Sequence, residues 1–233
     1  MESTAEVARV RKVYRQYAAW GLGQSRWSSA NKGNQAIQLE RERKTQQLLM
    51  RAGFFPLSER RILDVGCGTG EQLDLFLDWG ARPENLFGID LLPERIRVAQ
   101  QKLPKASFQT ANAESLPYED AAFDLVSVFT VFTSILDRQM AANVSLEIAR
   151  VLKTGGAVLW YDFRMNNPLN KHVGGVTRKQ IQNLFPGFGM ALETISLLPP
   201  VARRLGAATE HLYSPLQALS FLRTHLLGLL TKP

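Results

Sequence analysis

The spacing of hydrophobic residues changes near residue 61, from a helical period to short apolar runs that alternate with helical stretches. Before it, four apolar and aromatic residues recur at steps of three and four, which predicts an amphipathic helix ending at Gly21 and Gly23. They are Val7, Val10, Tyr14 and Tyr17. A second helix is predicted over 35–52, with Gly53 where a left-handed cap belongs. Beyond 61, short apolar runs alternate with helical stretches, which predicts a parallel sheet with helices on both faces.

Six strands are predicted from short apolar runs bounded by turn residues. Their ranges are 61–65, 86–90, 106–111, 123–130, 157–163 and 191–198. Helices are predicted at 71–79, 94–103, 138–152 and 178–185, and the pair Gly155–Gly156 is expected to end the third of these. The stretch 199–222 is predicted to be helical, and 224–230 is read as a seventh strand.

Composition agrees with one globular domain. The chain has 233 residues, of which 45% are hydrophobic, enough for a sizeable core. Its single cysteine, Cys67, excludes an intrachain disulfide and a cysteine-based zinc site. Neither a membrane-length apolar run nor a signal-peptide core is visible, so a soluble, cytoplasmic protein is expected.

The net charge of +7 favours anionic partners such as nucleic acid, lipid headgroups or acidic metabolites. The basic residues are scattered, however, and no RNA-binding signature is visible. Nucleic acid is therefore not the expected partner, whereas peripheral contact with a membrane stays open. The oligomeric state is not predicted.

The sharpest motif joins the first strand to the first helix of the sheet. Asp64 is followed by glycines at 66, 68 and 70, so a strand runs into a turn that side chains do not crowd. The dinucleotide fingerprint has the longer spacing G-x-G-x-x-G and delivers a pyrophosphate to a helix terminus. An acid two residues before the first glycine suits a cationic ammonium better than an anionic pyrophosphate.

A second acid, Asp90, ends the next strand, 20 residues after Gly70. A carboxylate at this position can accept hydrogen bonds from both hydroxyls of a ribose. The same residue could cap the helix that begins near Pro93, and the two roles are compatible. Taken alone, Asp90 indicates only a nucleoside ligand.

Four segments follow in order over 61–163: ILDVGCGTG, FGID, ANAESLPYEDAAFDLVSV and RVLKTGGAVLWYD. Together they resemble the motifs of class I S-adenosylmethionine-dependent methyltransferases of the type 11-like group. The resemblance implies an α/β fold, a Rossmann-like three-layer sandwich. Its seven-stranded sheet would be mostly parallel, with an antiparallel last strand beside the sixth. It also implies S-adenosyl-L-methionine as cofactor, S-adenosyl-L-homocysteine as product, and no metal.

By this resemblance, the first strand and its turn hold the methionine end of the cofactor. Asp64 would serve the ammonium group, often through water. Gly66, Gly68 and Gly70 would line the cofactor along the turn.

The later motifs would hold the nucleoside. By the same resemblance, Asp90 binds the ribose hydroxyls and Leu91 packs on the adenine. Asn112 and Ala113 match the adenine edge, where Asn112 replaces the family's usual acid and could still accept through its carbonyl or simply shape the loop. Phe129 would lie near the methionine part, although a large aromatic residue is often core instead.

An alcohol acceptor needs a general base, and a histidine is the natural candidate. His172 is our candidate catalytic residue, because it follows the fifth strand at the edge where the acceptor should lie. His211 lies in the predicted 199–222 insert, and His225 in the last strand is expected to be structural. Three other polar residues lie near the end of the fifth strand: Tyr161, Asp162 and Arg164.

The expected organisation is a helical lid at 1–54 and a cofactor-binding domain at 55–233, in which the helical insert 199–222 forms one wall of an acceptor pocket. The segments FTVFTSILD, WYDFRMNNPLN and LRTHLLGLLTKP also resemble methyltransferases of glycan and polysaccharide biosynthesis. The expected reaction is therefore methyl transfer to oxygen or nitrogen of a small acceptor: a sugar, a glycan-lipid or a secondary metabolite.

Four alternatives stay open at this point. A quinone-type C-methyltransferase or an RNA methyltransferase would share the cofactor motifs. A non-catalytic S-adenosylmethionine-binding protein would bind the cofactor without transferring a methyl group. An NAD(P)-dependent oxidoreductase would share the fold but requires the longer glycine spacing.

Overall fold

The computed structural model describes residues 4–19, 28, 30–168 and 170–233. The predicted end of the first helix, at Gly21 and Gly23, lies outside these residues. Among the helices that the structure describes, none combines the length and the apolar character needed to cross a bilayer.

Seven strands form one sheet in the order β3-β2-β1-β4-β5-β7-β6. Their bounds are β1 Ile62–Val65, β2 Leu86–Asp90, β3 Ser107–Thr110, β4 Phe123–Phe129, β5 Leu152–Phe163, β6 Gly189–Leu197 and β7 Arg223–Thr231. β7 is antiparallel to both β5 and β6, whereas the pairings among the first five strands are parallel. The predicted Rossmann-like sheet, with its antiparallel last strand beside the sixth, is confirmed.

Helices cover both faces of this sheet. The described helices are α1 Thr4–Ala19, α2 Lys32–Arg51, α3 Glu71–Asp78, α4 Pro93–Lys102, α5 Arg138–Val151, α6 Arg178–Leu184, α7 Pro199–Arg204 and α8 Thr209–Ala218. Residues of α2, α3 and α4 pack on one face of the sheet. Residues of α5 and α6 pack on the other, around the fully buried Trp160.

Two element boundaries differ from the predictions. The second helix begins at Lys32 rather than near 35, because the side chain of Asn31 accepts a hydrogen bond from the backbone amide of Asn34 and caps the first turn. The fifth strand begins at Leu152 and contains the glycine pair that was expected to end the preceding helix. The backbone at Gly155 has φ +73°, and the β4–β5 register shifts there, so the glycines form an irregularity within a strand.

The insert 199–222 is attached to α2 by a buried carboxylate. Glu40 of α2 accepts hydrogen bonds from the Tyr213 hydroxyl at 2.6 Å and from the Gln217 side-chain amide at 2.6 Å. Both donors belong to α8. The backbone amide of Ser196 in β6 donates to the same carboxylate at 3.2 Å. These bonds join α2, the insert and the sheet. The division into 1–54 and 55–233 stays a prediction.

Close packing of β7 between its neighbours makes Gly228 sensitive to substitution. A Cβ at position 228 would lie 2.0 Å from the carbonyl oxygen of Ala191, which is backbone and cannot move aside cheaply. We expect Gly228→Ala to lower the free energy of unfolding by about 2 kcal/mol or more, because overpacking displaces the strand. Urea denaturation measures this loss.

Gly189 provides the matched control for that substitution. It lies in β6 of the same sheet, and a Cβ there would meet nothing closer than 4.0 Å. Gly189→Ala should therefore change stability by no more than about 0.5 kcal/mol. Equal effects of the two substitutions would contradict the packing described for β7.

Candidate functional site

The turn after β1 follows a path that favours glycine. Gly66, Gly68 and Gly70 all have positive φ, at +72°, +56° and +87°. A Cβ at position 66 would lie 2.9 Å from a methyl group of Val131, so this position is closed to larger residues. The turn therefore presents bare backbone at the carboxyl end of the first strand.

Asp90 ties the ends of two strands together. One of its oxygens accepts a hydrogen bond from the amide of Gly68 at 3.0 Å, and the other accepts from the amide of Leu92 at 2.8 Å. The guanidinium of Arg95 lies 4.0 Å away. Burial raises the pKa of Asp90 above its usual value, while these donors oppose the rise. Each oxygen keeps a lone pair for a further donor, as a ribose diol would supply.

Asp64 is buried at the end of β1. The Ser127 hydroxyl donates a hydrogen bond to one of its oxygens at 2.5 Å. Burial is the main reason that the pKa of Asp64 rises to about 7, and the negative charge of Asp90 adds to the effect. A cation placed beside Asp64 would favour its ionised form, so the site is matched to a positively charged ligand group.

A cavity of about 160 Å³ opens beside this turn, at the carboxyl ends of β1, β2 and β4. Its walls contain six of the nine predicted cofactor residues: Gly66, Asp90, Leu91, Asn112, Ala113 and Phe129. The other three, Asp64, Gly68 and Gly70, are not among the described residues that line it. Asp64 lies in β1, and Gly68 and Gly70 belong to the turn that follows it. Parallel strands bring these positions to one edge of the sheet, as the topology requires.

Asn112 shapes the loop on the adenine side of the cavity. Its side-chain oxygen accepts a hydrogen bond from the amide of Glu114 at 3.1 Å, and its amide nitrogen donates to the Glu114 carboxylate at 3.2 Å. This is the loop-forming role that the sequence left open. A lone pair on the same oxygen is still available to a ligand, so both interpretations are compatible with the structure.

Helix α1 contributes to the wall of the cavity; the sequence predicted a lid from this segment but not the residues that make the contact. Val10 and Tyr14 line the cavity from this helix. The hydroxyls of Tyr14 and Ser134 share a hydrogen bond at 2.7 Å, and the Arg95 guanidinium lies 4.6 Å from the Tyr14 ring centroid. The apolar stripe of α1 was visible in the sequence, but its partner surface was not.

Charged residues of α1 attach the helix to backbone groups at the same edge. Glu6 accepts a hydrogen bond from the amide of Leu136 at 2.6 Å. Arg9 donates to the carbonyl of Ser134 at 2.6 Å and to the carbonyl of His172 at 3.3 Å. These contacts position α1 to cover the cavity, as a lid would. The lid role itself stays a prediction.

Thr130 lies at the end of β4 in a conformation that few side-chain-bearing residues adopt. Its φ is +57°, and its amide donates to the carbonyl of Tyr161 at 2.8 Å. It lines the cavity beside Phe129. Strained backbone of this kind concentrates at functional sites, where the surrounding structure holds it in place.

The histidines lie at different depths in the fold. His172 is on the loop after β5, where its amide donates to the side chain of Asn170 at 3.1 Å, and it is not among the described residues that line the cavity. His211 is exposed on α8. His225 is buried and stacks on Tyr161 with ring centroids 4.6 Å apart. Burial lowers the pKa of His225 to about 3. The role of His172 as base stays a prediction.

Asp162 and Arg164, at the end of β5 and just after it, have structural contacts. Asp162 accepts hydrogen bonds from the amides of Thr133 at 2.9 Å and Phe163 at 2.8 Å, and burial raises its pKa to about 7. The guanidinium of Arg164 donates to the carbonyl of Arg223 at 2.7 Å. These contacts connect the end of β5 to the loop after β4 and to the start of β7.

Residues 63–160 match a family model described as "Methyltransferase domain". This match spans the glycine turn, Asp90 and the end of β4. Residues 63–160 are therefore similar to a methyltransferase domain, and several of the motif residues in this segment lie around the cavity described above.

Curated relatives match this chain over part of their length. The ubiquinone/menaquinone biosynthesis C-methyltransferase UbiE of Campylobacter jejuni is 28% identical over 133 residues, which cover 55% of each chain. The phthiotriol/phenolphthiotriol dimycocerosates methyltransferase of Mycobacterium leprae is 30% identical over 130 residues, covering 55% of this chain and 47% of that one. The chain thus spans about half the length of these relatives.

Solved structures share the fold of this chain at low identity. The PH0226 protein of Pyrococcus horikoshii has a TM-score of 0.64 and 16% identity, covering 94% of this chain and 99% of that one. The [4+2]-cyclase SpnF has a TM-score of 0.61 and 20% identity, covering 82% of this chain and 81% of that one. At these identities the likeness concerns the fold alone.

The raised pKa of Asp64 predicts a pH dependence of ligand binding. A cationic ammonium requires the ionised carboxylate, which the free protein loses as the pH falls through about 7. We expect S-adenosylhomocysteine to bind about tenfold more weakly at pH 6 than at pH 8, since each pH unit below the pKa costs up to tenfold. Isothermal titration calorimetry across this range measures the effect.

Two variants test the assignment to Asp64. Asp64→Asn should remove most of the pH dependence while lowering affinity at pH 8. Ser127→Ala should move the midpoint upward, because the lost hydrogen bond favours the ionised carboxylate. An unchanged midpoint in Asp64→Asn would show that another group causes the titration.

Proposed function

We propose that this chain transfers a methyl group from S-adenosylmethionine to a small acceptor molecule. The observation that carries the proposal is the pair of buried carboxylates on either side of the glycine turn. Asp64 is suited to the ammonium of the cofactor, and Asp90 to its ribose hydroxyls. A pyrophosphate placed at the glycine turn would be repelled by Asp64, whereas Asp90 suits the ribose of either ligand.

The backbone of the glycine turn suits this cofactor as well as the charge of Asp64 does. Position 66 has no room for a Cβ, so bare backbone can lie against a ligand there. When bound, S-adenosylmethionine supplies a methyl group that its positively charged sulfur already activates. Asp64 and Asp90 fix the two ends of the ligand, and α1 covers the cavity from solvent. Positioning of this kind can contribute about 7–11 kcal/mol to a reaction barrier.

The acceptor we propose first carries an oxygen or nitrogen nucleophile, as in a sugar, a glycan-lipid or a secondary metabolite. The apolar wall beyond Phe129 supports an acceptor with an apolar part. This wall includes Val131, Ile135, Met140 and Val144. Orientation of the nucleophile would then fall to the loops after β4 and β5, which meet at this edge.

A quinone-type C-methyltransferase is the second candidate. The relatives named above include enzymes of ubiquinone and menaquinone biosynthesis, and the apolar wall also suits an aromatic ring. No histidine is among the described residues that line the cavity. Product analysis separates the two candidates by the atom that carries the new methyl group.

The direct test uses the purified chain with methyl-labelled S-adenosylmethionine. Sugars, glycan-lipids and a short-chain demethylated menaquinol are offered separately, and mass spectrometry locates the label. We expect label in one acceptor class, and loss of transfer in Asp90→Ala through at least tenfold weaker cofactor binding, because a charge-assisted contact is removed.

The possible outcomes of this test divide the hypotheses. Label on oxygen or nitrogen supports the first candidate, and label on ring carbon supports the second. Cofactor binding without label in any acceptor or lysate fraction would favour a non-catalytic binding protein. Preferential binding of NAD would overturn the proposal.

His172 is our proposed general base for an oxygen acceptor. Its loop is held to α1 through Arg9, which would bring the base and the lid to the same edge. We expect His172→Ala to slow transfer by about 10²-fold, in the range of acid–base catalysis, with unchanged affinity for S-adenosylhomocysteine. Single-turnover kinetics measures the chemical step.

His211→Ala is the matched control for this variant. Its histidine is exposed on α8, so the substitution should leave transfer unchanged. Full activity of His172→Ala with an identified oxygen acceptor would exclude it as the base. Product analysis recognises a carbon acceptor, a reaction for which His172 is not proposed as the base.

A further inference from the structure

Four large apolar side chains are exposed along the edge of the sheet at which the cavity opens. Leu136 lies between β4 and α5, Met165 follows β5, and Leu219 and Phe221 precede β7. Because β7 is antiparallel to β5, its start lies at the same edge as the end of β5. The side chain of Phe221 is 69% exposed, the highest value of the four. We call these four residues the apolar patch.

Contacts between loops bring the patch residues to one stretch of this edge. A Cβ at Gly174 would lie 3.5 Å from a methyl group of Leu136 and 4.0 Å from the side-chain oxygen of Asn166. The Arg164 guanidinium donates a hydrogen bond to the carbonyl of Ser220 at 3.3 Å. The remaining patch residues are chain neighbours of Asn166 and Ser220. A group of exposed apolar residues on one edge indicates a surface that contacts another molecule.

The charge around the apolar patch is positive. The segment 164–180, which runs from the end of β5 into α6, contains four basic residues and no acidic residue, and the start of β7 adds a fifth basic residue. The five are Arg164, Lys171, Arg178, Lys179 and Arg223. None of them forms an ion pair with a residue that the structure describes. Three of the five are exposed to solvent: Lys171, Arg178 and Lys179.

Two acidic residues near Leu136 do not cancel this charge. Asp137 caps α5, where its side chain accepts a hydrogen bond from the amide of Met140 at 2.7 Å. Glu6 accepts from the amide of Leu136 at 2.6 Å and pairs with Arg9 at 2.7 Å. Arg9 balances the charge of Glu6, and Asp137 offsets only one of the five basic residues. The surroundings of the patch therefore keep a net positive charge.

Exposed apolar side chains next to basic residues are complementary to a bilayer that contains anionic lipids. The apolar side chains enter the boundary between headgroups and acyl chains, while lysine and arginine stay at the phosphate groups. A second copy of this chain is a poorer occupant. A symmetric contact through the patch would bring the same basic residues face to face, and like charges repel.

We propose that this edge of the chain binds a membrane surface that carries anionic lipids, with Leu219 and Phe221 inserted at the headgroup boundary. The inference goes beyond the proposed function. Ile135 lines the apolar wall of the cavity, and its chain neighbour Leu136 belongs to the patch. Membrane binding would therefore place that wall close to the bilayer, where an acceptor with a lipid tail is found.

The test is sedimentation of the full chain with lipid vesicles. One set is phosphatidylcholine with about one third phosphatidylglycerol, and the other is phosphatidylcholine alone. We expect binding to the anionic vesicles to be at least about tenfold stronger. Phe221→Ser should weaken it by about tenfold, because a large apolar side chain no longer leaves water. Lys171→Gln should weaken it by about fivefold, the effect of one basic residue at an anionic surface.

Leu146→Ser is the matched control. Leu146 is 65% exposed, but it belongs to α5, which packs on a face of the sheet, so the substitution should leave vesicle binding unchanged. Thermal unfolding checks that Phe221→Ser is folded. Equal weakening by the two serine variants, equal binding to both kinds of vesicle, or no binding to either would overturn the proposal.

Light scattering tests the competing occupant. A dimer that Phe221→Ser converts to a monomer would overturn membrane binding in favour of a second copy, whereas we expect the same mass for both proteins. Neither cofactor nor acceptor is present in these measurements. Their outcomes are therefore distinct from success or failure of the proposed function.

Discussion

Burial of two carboxylates at the ends of neighbouring parallel strands is the constraint on which the site depends. Asp64 and Asp90 are both removed from water, and burial raises the pKa of each. The glycine turn lies between them, and its Gly68 amide donates to Asp90. Such an arrangement is costly unless a ligand supplies positive charge and hydroxyl donors. The proposed chemistry follows from this demand.

The sequence was sufficient for the part of the site that one local motif encodes. The glycine turn after Asp64 and the acid Asp90 both stand at the end of a predicted strand. Because the carboxyl ends of parallel strands meet at one edge of the sheet, their position there could be predicted. The position of β7 beside β6 came only from the family resemblance, since the pattern at 224–230 was ambiguous between helix and strand. The boundary at Gly155 was wrong because a glycine in an irregular strand resembles a helix stop.

Contacts between residues distant along the chain could not be predicted from the sequence. Tyr14 and Arg41 belong to helices far from the motifs along the chain, and their periodic patterns show that a face is buried without naming its partner. Both reach the same edge of the sheet from opposite parts of the N-terminal segment. That segment therefore contributes to the site through tertiary packing. Substitution of such residues outside the motifs can change ligand preference without changing the sheet.

The central claim is that the glycine turn and its two carboxylates select a positively charged sulfur nucleoside over a dinucleotide. Calorimetric titration of the purified chain with S-adenosylmethionine and, separately, with NAD tests it most directly. We expect saturable binding of S-adenosylmethionine with one site per chain and no detectable binding of NAD. Binding of NAD with comparable or higher affinity would contradict it, because the pyrophosphate would have to lie at the glycine turn beside the buried carboxylate of Asp64.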